Sequence, residues 1–385
     1  VRRHALFIDG DSGFNIHSES LGDLRPLFAA RGYRTTTLDS RRADLQAALG
    51  WMIREDTPDV AVAIAGFGAE WTIDGRNYWE SVGVPYVGLM IDSPVYYTWR
   101  HQITGRTTLF LYSDADHLEI ADRIGGRGIA RGLFSSFGFA LAPTETPTRD
   151  IDLIFAQAGG DPEAIRSGWR GWGQAPRQMA EALAEATVWR SGVSLWHEAL
   201  RLFPAFDQTI PHAGFVAVVG EVEQYVRRAR ATRIVRECVG LPLHLSGGEW
   251  GHVAGAEAHL HARVGLRDLR AKYLCSRIVL NLLPATRFVT HHRAIEGALA
   301  GAAIASDINS GITATLGPAC IPIRWEEPEG ALAARIEAAL ADPAALDTCA
   351  RDGQRRTIAA HGAGLGLDGM LATIEHFVAR VRGAA

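Results

Sequence analysis

Lysine is almost missing from this chain. Of 385 residues only Lys272 is a lysine, and arginine supplies the rest of the 39 basic side chains. Any chemistry that needs a lysine therefore has one candidate. Cysteine is scarce too: Cys238, Cys275, Cys320 and Cys349 are scattered, with no CxxC spacing. That argues against a disulfide scaffold and a zinc site, and it fits a reducing cytoplasm, the expected location. No apolar run approaches the ~20 residues of a membrane span. No secretory leader is visible, because the first short apolar run ends at Asp9-Gly10-Asp11. There is no excess of positive charge, with 43 acidic residues and a net charge of −4. A bulk basic field for nucleic acid is thus absent, and no nucleic-acid partner is expected.

What is present is an ordinary globular composition, 47% hydrophobic and 21% charged, in a chain long enough for two domains. Short apolar runs at 5–8, 33–38, 60–64, 86–91, 109–112 and 128–133 read as strands. Helical spacing at 21–31, 42–54, 78–82 and 118–124 falls between them. This alternation predicts a parallel, doubly wound sheet. The stretch 142–150, rich in Pro, Thr and charge, reads as a linker. Alternation then resumes with strands at 151–155, 243–245, 276–282 and 303–306. A long helical stretch at 162–238, broken near Pro204 and Pro211, precedes the second of these. Helices are expected at 266–272, 293–300, 330–340, 343–361 and 370–381. The expectation is two α/β domains in tandem, with a helical insertion early in the second.

Ligands of open parallel sheets sit beyond the carboxyl ends of the strands. In the first domain those ends carry Asp9 to Gly13, Gly66 to Gly68, Asp92 to Pro94, and Ser113 to His117. A carboxylate there can act as a general base, or it can simply cap a turn. Asp9-x-Asp11 after a strand also resembles the first motif of haloacid-dehalogenase-like phosphatases, which use magnesium. That motif usually continues to Thr or Val, where Gly13 stands here, and Lys272 lies beyond the linker.

In the second domain, Ser276 to Leu282 and then Thr290 to Asp307 read as strand, loop, helix, Gly, strand. A helix N-terminus offers unpaired N–H groups and a positive dipole end, which suits a pyrophosphate. Arg293 and Glu296 are three apart and share a helix face. The Arg can fork onto phosphate, and the Glu can accept both hydroxyls of a ribose. Each can equally be a surface residue. His291 and His292 are adjacent, the wrong spacing for joint metal ligation from a helix, and no metal is expected. Trp71, Trp79, Trp99, Trp169, Trp172 and Trp250 could stack on sugars or bases; core or helix packing is the expectation for most of them, and Trp250 is the exception.

This run resembles the C-terminal half of GT-B glycosyltransferases, and within them the CgeB-like (spore maturation protein) branch. Ser276-Arg277 and Leu280-Asn281 match that branch's strand motif, and Arg293, Glu296 and Gly301 match its helix motif. Gly247 to Trp250 resembles its Gly-x-x-Trp loop, and Ile151 to Phe155 with Gly159-Gly160 its opening strand and Gly loop. The resemblance implies two Rossmann-like domains facing a cleft. They would span 1–146 on the acceptor side and 147–365 on the donor side, with a final helix at 366–385 crossing back. It implies a nucleoside-diphosphate sugar as donor substrate, no other cofactor, and an unidentified acceptor: protein, glycan or small molecule. Glu296 would bind the ribose and Arg293 the phosphates. Asn281, Thr290, His292, Gly248, Trp250 and Arg277 would complete the donor site. Asp11, Asp92 and His17, in that order, would be the candidates for the base. Many retaining GT-B enzymes carry a second Glu eight positions before the ribose Glu, where Phe288 stands here. Retention is thus unsupported, and a catalytically inactive GT-B-like binding module remains a rival alongside the phosphatase.

Overall fold

The computed structural model describes residues 3–10, 16–135, 148–206, 211–361 and 365–383. Contacts divide the chain into two units, Val1–Ser135 with Gly364–Ala385, and Ser136–Ala363. Residues 142–147 of the expected linker lie outside the described residues.

The first unit is built on strands β1 (Arg3–Asp9), β2 (Tyr33–Asp39), β3 (Val60–Ile64), β4 (Tyr86–Met90), β5 (Thr108–Tyr112) and β6 (Ala130–Leu133), with helices α1 (Ile16–Ala30), α2 (Leu45–Glu55) and α3 (Ala115–Ile124) between them. The order across the sheet is β2-β1-β3-β4-β5-β6, and every pairing is parallel. β3, β4 and β5 are buried at every residue. Strands covered by helices on both faces read as unbroken apolar runs for that reason. The winding direction reverses at β1, so the ends Asp9-Gly10 and Ala65-Gly66 of β1 and β3 lie side by side.

The second unit starts with β7 (Ile151–Ala156). Four helices follow: α4 (Pro162–Gly168), α5 (Gln174–Thr187), α6 (Leu195–Leu202) and the long α7 (His212–Cys238). This is the expected helical insertion. The remainder alternates: β8 (Leu243–Ser246), β9 (Leu260–His261), α8 (Leu266–Leu274), β10 (Ser276–Asn281), α9 (His292–Leu299), β11 (Ala303–Asp307), α10 (Ser310–Thr315), β12 (Cys320–Ile323), α11 (Ala331–Ala341) and α12 (Pro343–His361). The order β9-β8-β7-β10-β11-β12 is all parallel and has the Rossmann arrangement. Its switch point falls between β7 and β10, where Gln157 and Asn281 stand at the strand ends. Sequence patterning does not anticipate the edge strands β9 and β12. β9 has only two residues, and β12 contains Pro322, which an edge strand tolerates.

Helix α13 (Leu365–Gly383) belongs to the first unit. It buries Leu367, Leu371, Ile374 and Phe377. Its acidic residues meet that unit's arginines: Arg3 to Glu375 at 2.9 Å and Arg31 to Asp368 at 2.6 Å. Exposed pairs of this kind set orientation more than they add stability. Among the described residues no helix is long and apolar enough to cross a membrane.

Candidate functional site

At the switch point of the second unit, the loops after β7 and β8 are zipped together. Gln157 N–H donates to the Ser246 carbonyl at 2.9 Å, Gly159 N–H to Gly248 at 2.8 Å, and Gly160 N–H to Glu249 at 2.8 Å. The glycines are a steric necessity. A Cβ on Gly247 would stand 2.0 Å from the Gln157 carbonyl oxygen, and one on Gly159 would stand 2.4 Å from that of Glu249. Glu249 itself holds φ at 67°, an uncommon conformation for a residue with a Cβ.

The zipped loops place Gln157 against the start of α9. Its side-chain oxygen accepts from Arg293 Nη2 at 3.1 Å. Arg293 is 8% exposed, and burial lowers its pKa, followed by the unfavourable proximity of Arg227 among other neighbours. His291 caps α9, its Nδ1 accepting from the Arg293 N–H at 3.3 Å. His291 and His292 pack ring to ring, 4.1 Å between centroids. Both lie below the ordinary histidine range, first through burial and then through nearby cations. His292 feels Arg293, Arg270 and Arg227, and is pushed down to about 3, although it keeps an open edge to solvent. The α9 N-terminus is thus a place of strong positive potential whose histidines stay neutral. An anion is the complement of such a place.

Glu296, 4% exposed, lies on the same helix face. Its Oε1 accepts from Arg270 Nε at 3.0 Å and Nη2 at 2.7 Å. The pair joins α8 to α9. Glu296 is therefore a buried, ion-paired carboxylate and not the surface residue that sequence alone allowed.

The other expected donor residues separate into two groups. Asn281 and Thr290 stand at the loop between β10 and α9 but are buried. Asn281 Nδ2 donates to Ser306 Oγ at 2.9 Å, and Thr290 Oγ1 lies 3.0 Å from Thr315 Oγ1, which in turn lies 2.8 Å from His361 Nε2. The cap of α9 is His291, and Thr290 precedes it. Gly248 lies in the zipped loop. Two expectations are corrected. Trp250 is 2% exposed, packs on Phe155, and donates its indole N–H to the Gln157 carbonyl at 3.2 Å, so its ring is closed to a ligand. Arg277 sits at the amino end of β10, away from the strand ends that carry the site, where it pairs with Asp152 at 2.9 Å.

In the first unit Asp11 and Gly13 lie outside the described residues. Asp9 is buried and accepts from Ser18 Oγ of α1 at 2.7 Å, an arrangement that ties helix to strand rather than offering a nucleophile. His17 is half-buried in the first turn of α1. Asp92 is half-buried just past β4. Sequence reasoning missed Gln157, Arg227 and Arg270. The Gly pair at 159–160 marked Gln157's loop, but nothing local marks the two arginines, which belong to other helices.

Residues 223–364 match a family described as glycosyl transferase-like. Sucrose-phosphate synthase from Thermosynechococcus elongatus is similar in structure over 100% of both chains, at 12% identity and a TM-score of 0.53. An alpha-glucosyltransferase solved with UDP and a 13-mer DNA containing a HMU base is similar at 9% identity and a TM-score of 0.54, over 97% of this chain and 99% of that one. An alpha-glucosyltransferase solved with UDP-glucose and DNA containing an abasic site matches at 12% identity and a TM-score of 0.52, over 97% and 99%. No curated protein matches in sequence. The fold is thus the GT-B type, with two Rossmann-like domains. The family match over residues 223–364 agrees with that fold.

Proposed function

We propose that this protein transfers a glycosyl group from a nucleoside-diphosphate sugar and that the second unit holds the donor. The observation that carries the proposal is the cationic N-terminus of α9. There, the positive dipole end of the helix, the buried Arg293 and the neighbouring Arg227 converge beside neutral histidines. These groups would take the diphosphate and stabilise it as the leaving group when the anomeric carbon is attacked. Glu296, oriented by Arg270, would take the ribose hydroxyls. With the diphosphate charge met by arginine and the helix end, transfer needs no divalent metal, and turnover should persist in EDTA.

The acceptor hydroxyl or amine would lose its proton to a base on the first unit. Asp11, Asp92 and His17 are the candidates, and comparing turnover of Asp11→Asn with Asp92→Asn separates the first two.

The primary test is a thermal shift with UDP, GDP, dTDP, CDP and CMP at millimolar concentration. At least one should raise the melting temperature by mass action. No shift with any of them would remove the nucleotide-binding reading. Turnover of the bound donor then separates an enzyme from an inactive binding module. Magnesium-dependent hydrolysis of a simple phosphoester, abolished by Asp9→Asn, would favour a phosphatase instead.

A further inference from the structure

The carboxyl ends of β3 and β4 in the first unit carry a second built surface, centred on Arg100. Its Nη1 donates to the Ala65 carbonyl at 3.0 Å, where Ala65 holds φ at 54° at the end of β3. The guanidinium carbon lies 5.2 Å from the ring centre of Phe67, 4.9 Å from that of Tyr97 and 5.9 Å from that of Trp99. Phe67 in turn covers Gly10 so closely that a Cβ there would meet its ring at 2.6 Å. Arg100 thus pins three aromatic rings around the switch point of the first sheet.

The outermost ring is left open. Trp99 is 52% exposed and is braced edge-to-face by Tyr97, 5.4 Å between centroids at 87°. Beside it are polar atoms that lack partners. Glu70 Oε2 and Arg100 Nε are buried without a hydrogen bond, although the two side chains form an ion pair, Glu70 Oε1 to Arg100 Nε at 3.6 Å. Ser93 Oγ, in the loop that leads from β4 to Trp99, is likewise buried and unpartnered. Unsatisfied buried polar atoms are costly, so such a cluster is a place that a ligand would complete.

An exposed aromatic face flanked by unfilled donors and acceptors has the complement of a sugar ring. The ring's C–H face covers the indole while its hydroxyls bond the carboxylate and guanidinium. A lipid or a flat aromatic acceptor would cover Trp99 but offer no hydroxyls to Glu70 and Arg100. We propose that the acceptor is a saccharide, stacked on Trp99 and hydrogen-bonded by Glu70 and Arg100. This rests on the glycosyltransferase reading above and names its acceptor class. Glu70 and Trp99 are binding groups in this proposal, and proton abstraction stays with the carboxylates already discussed.

The test uses the full chain and saturation-transfer NMR with methyl glycosides of glucose, galactose, mannose and rhamnose, maltotriose, and p-nitrophenyl glucoside. Ring protons of at least one saccharide should receive saturation. Trp99→Ala should weaken that binding roughly three- to tenfold, the range for one aromatic contact. Glu70→Gln should weaken it as well, while the nucleotide-induced thermal shift stays at its parental value in both variants. If a nucleotide stabilises the protein but no saccharide binds, the acceptor proposal fails and the donor reading stands. Saturation confined to the nitrophenyl protons, or Trp99→Ala binding like the parent, would also overturn it. Loss of the nucleotide shift in the parent would instead bring down the reading on which it rests.

Discussion

Glu296 is placed for stability first, and its proposed contact with the ribose has to be tested apart from that. Arg270 engages a single oxygen of its carboxylate twice, and both residues are buried. Glu296→Ala would remove the buried carboxylate that Arg270 pairs with, at a cost of about 3–5 kcal/mol in stability. That substitution would confuse unfolding with lost binding. Glu296→Gln keeps the volume and an acceptor for Arg270. It should fold, and it should weaken nucleoside-diphosphate binding by about 1–3 kcal/mol while leaving pyrophosphate affinity unchanged. Calorimetry with both ligands checks this, because only a ribose contact separates them. Equal affinities for variant and parent would confine Glu296 to pairing with Arg270.

At the scale of the element, α9 works because it lies very close to the sheet. A Cβ on Gly297 would stand 2.9 Å from Ile304 Cδ1 and 3.1 Å from Val279 Cβ. Glycine weakens a short helix, so its presence here marks close approach rather than helix propensity. The next element begins just as tightly, since Gly301 turns the chain with φ at 77°. Gly297→Val would lift the helix off β10 and β11 and displace the N–H groups at its start. Stability should fall by about 1–3 kcal/mol, the usual cost of overpacking, and nucleotide affinity should fall with it. Urea unfolding and calorimetry on one sample test the linkage. A destabilised variant with parental affinity would detach the anion site from the seating of α9.

For the whole molecule, both units carry histidines held neutral by their surroundings, and these should contribute to the acid limit. His101 is fully buried against the Tyr112 hydroxyl at 2.8 Å. Burial, then Arg131, His117 and Arg100, push its pKa down to about 3. His291 in the second unit is depressed in the same direction. A histidine depressed in the folded state contributes fully above its unfolded pKa of about 6.5, and that contribution is lost as pH falls toward the folded value. His101 alone should therefore cost about 2–3 kcal/mol between pH 7.5 and 4.5. Urea midpoints at the two pH values should show a smaller drop for His101→Gln than for the parent. An identical drop would mean that other groups set the acid limit.

Two Rossmann-like sheets, the helical insertion and the strand-loop-helix around Arg293 were all legible in the linear chain. Each depends on local periodicity, on glycines at turns, or on apolar runs long enough for a buried strand. The edge strands of the second sheet were not legible, because two residues of β9 or a proline-bearing β12 have no periodicity to detect. Side-chain partners were the larger gap. Nothing near Glu296 announces Arg270, 26 positions earlier, and the depression of His292, led by burial and its neighbour Arg293, is deepened by arginines from two other helices. The tryptophans make the same point in reverse. Trp250 sits in a glycine loop and is buried by the zipped strand ends, whereas Trp99 sits in an apparently ordinary aromatic stretch and stands open on Arg100. Exposure is a property of what packs above a residue, and remote segments supply that packing only once the chain has folded.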